Sequence, residues 1–378
     1  MQKFLNFLII LFVSSVLNGV FASEQIVITA DRLNVRDGVW GKKLGKVFEG
    51  QQFEVRQKKE EWGKIEYELG KFGWISLDYA RPALQTTSKN NVSLSQFCSK
   101  VDTEFKKLGW KDLQCNADDW QATWHSEKGQ PLIYKVFGDE SSSHTTLLLC
   151  SVHSDEDTTY HCFRYMELLR SNQELIQHRL VLIPLLNPDG FFSKPRTRTN
   201  ANGVDLNRNL PTKDWAALAH RQWKWSYKKN PRYNPGKSAG SEKENQFLVS
   251  LILEYKPDKI VSLHSPLDFI DLDYMDKREG DKQLLAVRKR AWFQAQNFAK
   301  QSGTRFRDYR TFPGSLGRFG DEWKIPIYTL EFPEKPGSQA AKEFERFKSA
   351  MLELFNTNLS ANPTALNNAQ EKDQLLGG

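Results

Sequence analysis

Five short, almost unbroken apolar runs restrict what this chain can fold into. They are LIYKVFG from 132, TTLLLCSV from 145, RLVLIPLLN from 179, KIVSLH from 259 and IPIYTLEF from 325. A strand with no apolar–polar alternation is covered on both faces. Helical patterns fall between the runs, as in TTYHCFRYMELLRSN and KENQFLVSLILEYK. This alternation predicts an α/β domain with a mixed, largely parallel sheet flanked by helices. In open sheets of that kind, sites form beyond the carboxyl ends of the strands. The polar residues that close the runs are therefore the place to look for chemistry.

His153 and Glu156 stand three residues apart just after TTLLLCSV, His264 closes KIVSLH 108 residues beyond Glu156, and Glu331 lies near the end of IPIYTLEF with Pro333 stopping the strand. Two His and one Glu with a fourth position open is a catalytic zinc arrangement. Water bound there ionises near neutral pH and can attack a carbonyl. A lone His is more often a satisfied core or surface residue. Four ligand and acid–base groups along one sheet edge are hard to assign to packing. A further polar segment, NPDGFFSKPRTRTNANGVDLNRNLP, follows RLVLIPLL and places Arg198 and Arg208 ten residues apart. An Arg fork suits a carboxylate or a developing oxyanion. Spacing alone leaves open the alternative of Arg–Asp pairing at the surface.

The chain has 378 residues, 39% hydrophobic and 12% aromatic, enough for two or three packed domains. Residues 1–22 read as a secretory signal peptide. Lys3 precedes an apolar stretch from Phe4 to Val16, which is shorter than a membrane span, and small residues lead up to a cut after Ala22. No later segment is apolar enough to cross a bilayer, so no membrane span is expected in the mature protein. The expected location is periplasmic or extracellular. Net charge is +7, and +6 without Lys3. Such a charge attracts anionic surfaces, including a cell wall; an ordinary solvated surface is the plainer reading, and no nucleic-acid-binding motif accompanies the charge. Of the four cysteines, Cys98 and Cys115 flank a short helical segment and can pair, whereas Cys150 reads as a small core residue.

Residues 26–82 alternate apolar and polar between Gly and Asp turns, which predicts a small all-β barrel of five or six strands. The polar stretch 83–93 reads as a linker, 94–359 as the catalytic domain, and 360–378 as a disordered tail. The series LNVRDG, KVFEGQQFEV, EWGKIEY and GWISLDYA resembles the bacterial SH3-like domain. The resemblance implies a grip on peptidoglycan or its peptide stems, with Trp40, Trp62, Trp74 and Tyr79 as candidate groove residues. Core or turn positions are the plainer reading of Trp62 and Trp74.

Residues 130–355 resemble the zinc carboxypeptidase family, with its H-x-x-E, an Arg upstream of an N-R pair, a later His and a catalytic Glu. The resemblance implies that His153, Glu156 and His264 hold Zn²⁺. It implies Glu331 as general base to a zinc-bound water, Arg198 as oxyanion stabiliser, and Asn207 with Arg208 as the grip on a free carboxylate. RTNANGVDLNRNLP, SLHSPLDFID, TFPGSLGRFGDEW and YTLEFP are similar to the murein peptide amidase branch, which cuts between γ-D-glutamate and meso-diaminopimelate in stem peptides. Two departures bear on the site. Ser154 stands where that branch has Gly, a residue that tolerates unusual backbone angles. The tyrosine that many carboxypeptidases place over the substrate has no assigned counterpart, Tyr309 being merely nearby in sequence. A secreted carboxypeptidase for ordinary peptides and a non-catalytic wall-binding protein are the rival readings.

Overall fold

The computed structural model describes residues 24–30, 32–48, 51–68, 70–82, 91–273, 282–333 and 339–359. The expected signal peptide and tail, and most of the expected linker, lie outside these residues.

Among the described residues, eight short strands form the N-terminal unit: β1 (Glu24–Ile28), β2 (Arg32–Arg36), β3 (Lys43–Phe48), β4 (Gln52–Val55), β5 (Gln57–Lys59), β6 (Trp62–Glu68), β7 (Lys71–Ser76) and β8 (Ala80–Pro82). They make two antiparallel sheets, β4-β1-β8 and β3-β2-β7-β6-β5. This exceeds the expected five or six strands; one of the additions arises where Arg56 splits an extended stretch between the two sheets. Period-2 alternation turns Leu33, Val35, Ile65 and Ile75 inward onto Ile26, Ile28 and Val47. Trp62 is buried and meets Trp40 edge-on at 5.2 Å, while Trp40 and Tyr79 are exposed.

The second unit begins with α1 (Leu94–Leu108), closed by a Ser93–Gln96 capping box and a left-handed Gly109. Then come β9 (Gln121–His125), β10 (Pro131–Gly138), β11 (Thr145–Leu149), α2 (Thr159–Ser171), β12 (Arg179–Ile183), α3 (Pro188–Phe192), α4 (Trp215–Trp225), α5 (Lys243–Tyr255), β13 (Lys259–His264), β14 (Phe269–Asp273), α6 (Lys282–Ser302), β15 (Arg305–Arg307), α7 (Leu316–Trp323), β16 (Ile327–Glu331) and α8 (Ala340–Asn356). The sheet order is β15-β14-β16-β13-β11-β12-β10-β9. Its centre, β16-β13-β11-β12, is parallel, and the flanking pairs β14–β16, β12–β10 and β10–β9 are antiparallel.

Both faces are covered, which is why the central strands read as continuous apolar runs. Leu148, Leu182, Val261 and Leu330 pack under α1, α2, α6 and α8. Leu147, Leu149, Val181, Ile260 and Ile327 pack under α5 and α7. From β11 the chain passes to β12 on one side and returns to β13 on the other. That reversal opens a crevice at the strands' carboxyl ends.

Cys98 and Cys115 are bonded, as their spacing predicts. Cys150 corrects the sequence reading. It lies in the core but is bonded to Cys162 of α2, because the chain turns back over the strand end. Among the described residues no helix is long and apolar enough to cross a membrane.

Candidate metal and catalytic site

The turn after β11 carries the first two candidate ligands. The Glu156 N–H donates to the His153 carbonyl (3.2 Å), so side chains three residues apart face the same way. Ser151 and Asp157, on either side, take left-handed φ of 55° and 53°, and Ser154 between them does not. Glycine is therefore not required at 154. Its hydroxyl instead donates to the Asn187 carbonyl at 2.6 Å and lies 2.9 Å from Ser151 Oγ. The Cys150–Cys162 bond closes the loop that holds both ligands.

β13 runs beside β11 and ends at His264, which faces Glu331 in the β13–β16 register. The three candidates meet. His153 Nδ1 is 2.9 Å from Glu156 Oε1, and His264 Nδ1 is 2.8 Å from Glu156 Oε2. One donor atom from each of His153, Glu156 and His264 lies within 4.8 Å of the others, and all three residues are buried. Each outer ring nitrogen is also engaged, His153 Nε2 by Asp205 Oδ1 at 3.0 Å and His264 Nε2 by Ser262 Oγ at 3.1 Å. Two imidazoles turned Nδ1-inward around one carboxylate, each backed from behind, is a donor set that fits zinc.

Electrostatics favour charge here. Burial alone would raise the Glu156 carboxyl, but the His153 and His264 imidazoles outweigh it and hold the group well below the usual carboxylate range. Burial would likewise raise Asp205, and Arg198 with His153 drives it down. Arg198 Nε donates to Asp205 Oδ2 at 2.9 Å and its Nη1 to Glu156 Oε1 at 3.1 Å. The Arg–Asp pairing weighed from sequence thus exists, inside the site rather than on the surface. Glu331 differs from its neighbours. Burial pushes its carboxyl up to about 7; His264 opposes the shift and the Glu156 charge adds to it. Glu331 Oε2 is buried with no hydrogen-bond partner.

Arg208 is buried without a carboxylate partner among the described residues. Its Nη1 donates to the Asn207 carbonyl (2.7 Å), its Nε is unsatisfied, and the rings of Phe312, Tyr227 and Tyr233 lie 4.7, 5.7 and 5.9 Å from the guanidinium. Asn207 Oδ1 accepts from the Leu316 N–H at the start of α7 (2.8 Å), which fixes the amide's orientation. Gly314 allows this closure. Its φ is 74°, and a Cβ there would meet the Arg208 carbonyl at 2.1 Å. Tyr309 is half exposed and packs on Phe269, whose register partner is Glu331.

The structure thus unites His153, Glu156, His264, Glu331 and Arg198, and places Arg208 and Asn207 beside them. The Tyr233 ring spans the two arginines, 5.5 Å from Arg198 and 5.9 Å from Arg208. Sequence reading missed Asp205, Ser262, Tyr227 and Tyr233. For Asp205 a signal existed, a carboxylate inside the Asn- and Gly-rich NGVDLNRN that caps the short turn Leu206–Arg208.

Comparison with known proteins agrees with this geometry. The zinc carboxypeptidase family pattern matches residues 125–325, a span that includes His153, Glu156, Arg198, Asn207, Arg208 and His264 and ends before Glu331. Murein peptide amidase A of Escherichia coli K12 is 32% identical over 222 residues, covering 57% of this chain and 82% of that protein. The Vibrio campbellii protein of the same name is 32% identical over 216 residues, covering 54% and 75%. The solved murein-tripeptide amidase of E. coli O157 covers 65% of this chain and 92% of its own at 29% identity and TM-score 0.45. Bovine thrombin-activatable fibrinolysis inhibitor shares the fold at TM-score 0.50 and 16% identity, covering 69% and 94%. With a His-Glu-His group able to hold a metal assembled at the parallel strands' carboxyl ends and more than half its length matched, the chain is a zinc-dependent hydrolase and belongs to the zinc carboxypeptidase family.

Proposed function

We propose that this chain is an exported hydrolase of peptidoglycan stem peptides that cuts the γ-D-glutamyl–meso-diaminopimelate bond. Arg208 carries the reading. A buried guanidinium that forms no ion pair with a carboxylate among the described residues, framed by aromatic rings beside the candidate ligands, suits a substrate carboxylate. The likeness to murein peptide amidase A supplies the substrate class. The signal-like N-terminus and the resemblance of residues 26–82 to wall-binding SH3-like domains support export and a wall substrate.

His153, Glu156 and His264 would hold the zinc, which when bound supplies a Lewis acid and lowers the pKa of a water. Glu331, whose carboxyl burial raises to about 7, would serve as the base that accepts a proton from the attacking water and returns one to the leaving amine. Arg198 is fixed by Asp205 and Glu156 through Nε and Nη1, and its Nη2, with no hydrogen bond among the described residues, would face the oxyanion that forms at the scissile carbonyl. Asn207 and Arg208 hold the carboxylate of the released residue.

The test is mass analysis of a stem tripeptide after treatment, with and without a chelator. Chelator-sensitive loss of diaminopimelate is the expected result. An intact tripeptide alongside trimmed ordinary C-terminal peptides would replace this reading with a general carboxypeptidase.

A further inference from the structure

Positive charge is concentrated in one place. Between residues 213 and 237, seven Lys and Arg accompany one acid, Asp214, a net +6 against +7 for the whole sequence. The densest part is the end of α4 and the following turn, with Arg221, Lys224, Lys228 and Lys229, all exposed. The segment's ion pairs with described residues are Arg232 to Asp155 and Asp214 to Arg318, so these four cations take part in none. Lys224 lies 4.9 Å from the ring of Trp225, which is itself 70% exposed. Lys228 and Lys229 both take left-handed backbone angles (φ 51° and 57°) that L-residues seldom adopt. The turn is pinned by the Lys229 N–H to the Trp223 carbonyl (2.9 Å) and by Trp223 Nε1 to the Asn230 carbonyl (2.7 Å).

This turn adjoins the carboxylate site. Tyr227 accepts a long hydrogen bond from Arg208 Nη2 (3.4 Å) and stacks on Tyr233 at 4.4 Å. Arg232 Nη1 donates to Asp155, between the two ligands of the first metal loop, at 2.6 Å. The loop that frames Arg208 is therefore continuous with the exposed cations that form no ion pair among the described residues.

We propose that this surface docks the repeated carboxylates of polymeric peptidoglycan, holding the enzyme on intact wall while the Arg208 site reads a single stem; the inference rests on the peptidoglycan reading above. Single exposed charge contacts are weak and screened by salt. Many of them along one polymer add up through effective concentration. The fit to an anionic lipid surface is poorer. Membrane-seated helices bury a broad apolar face, and the exposed large apolar side chains of α4 are Leu218 and Trp225 alone.

The test is co-sedimentation of the full chain with purified insoluble sacculi at low and high salt, for the parent and for K224E/K228E/K229E, with K224Q/K228Q/K229Q as a milder second variant. The parent is expected to lose retention as salt rises. The charge-reversed variant should bind sacculi about tenfold more weakly or worse, the neutral variant should fall between, and the rate on a short soluble tripeptide should stay within about twofold. Retention that is equal in parent and variants, or a charge-dependent gain on phosphatidylglycerol vesicles without one on sacculi, overturns the docking proposal. A parent that binds sacculi in this way but leaves the tripeptide uncut overturns the substrate reading instead and leaves the docking surface standing.

Discussion

His153 Nε2 lies 3.0 Å from Asp205 Oδ1, and the other oxygen of that fully buried carboxylate accepts from Arg198 Nε at 2.9 Å. One side chain therefore engages both a candidate metal ligand and the candidate oxyanion donor. A carboxylate behind a ligating imidazole also raises its basicity. Asp205→Asn keeps the shape and removes the charge. Zinc affinity is expected to fall about 10- to 100-fold in chelator competition. An unchanged affinity would show that Asp205 merely fills space.

Glu331→Gln separates metal binding from proton transfer. Glu331 contacts no ligand by hydrogen bond, so zinc content should stay at parent level. Turnover should fall by about 10²–10⁴. The pH profile follows from the same residue. Burial sets its carboxyl at about 7, and a bound divalent cation favours the ionised form. The base is lost as pH falls through its pKa, so the acidic limb of kcat/KM should lie below about 7. A metal-loaded Gln variant with parental turnover would remove Glu331 from the mechanism.

Arg208 is the candidate grip on a substrate carboxylate. Its side chain is buried and forms no ion pair with a carboxylate among the described residues, a costly state for a cation. Arg208→Met should raise KM by about 10²-fold for substrates with a free terminal carboxylate, and should change little for their amides. The same change should leave the unfolding midpoint at or above the parent's. Equal losses on acid and amide substrates would argue against a carboxylate site.

The Cys150–Cys162 bond spans the loop bearing His153 and Glu156, so it restrains the metal site as well as the fold. Replacing both cysteines with Ala should cost about 2–4 kcal/mol of stability. Zinc affinity should fall with it, since the two ligands then hang on a loop anchored at one fewer point. Calorimetry and chelator competition on the same sample measure both.

The sheet centre was legible because β11, β12, β13 and β16 are covered on both faces, and burial leaves an unbroken apolar run. That His153, Glu156 and His264 would converge was legible because they follow or close such runs. The edges were not. β14 carries Asp271 and Asp273 among Phe269, Ile270 and Leu272, and β15 is three residues long, so neither makes an apolar run. Asp205 sits in a polar, Asn-rich stretch with no periodicity, and its partner His153 lies 52 residues away in the loop after β11. Cys150 looked like core because it is core; its bond depends on where α2 starts relative to the strand end.

Glu244 offers a test of the fold away from the metal. Its carboxyl is fully buried, Oε1 has no partner, and Asn200 Nδ2 donates to Oε2 at 3.0 Å. Burial pushes it up to about 8, from an ordinary value of 4.5, against the pull of Asn200. Between those values the native state holds a proton that the unfolded chain has lost. Its contribution to stability is therefore complete below 4.5 and drains away as pH rises through about 8. Glu244→Gln keeps the neutral shape at every pH. The variant should match the parent near pH 5 and exceed it by several degrees in unfolding midpoint near pH 8. Parallel midpoint curves for parent and variant across that range would mean that Glu244 is ionised in the native protein, and that its orphaned oxygen is satisfied in solution.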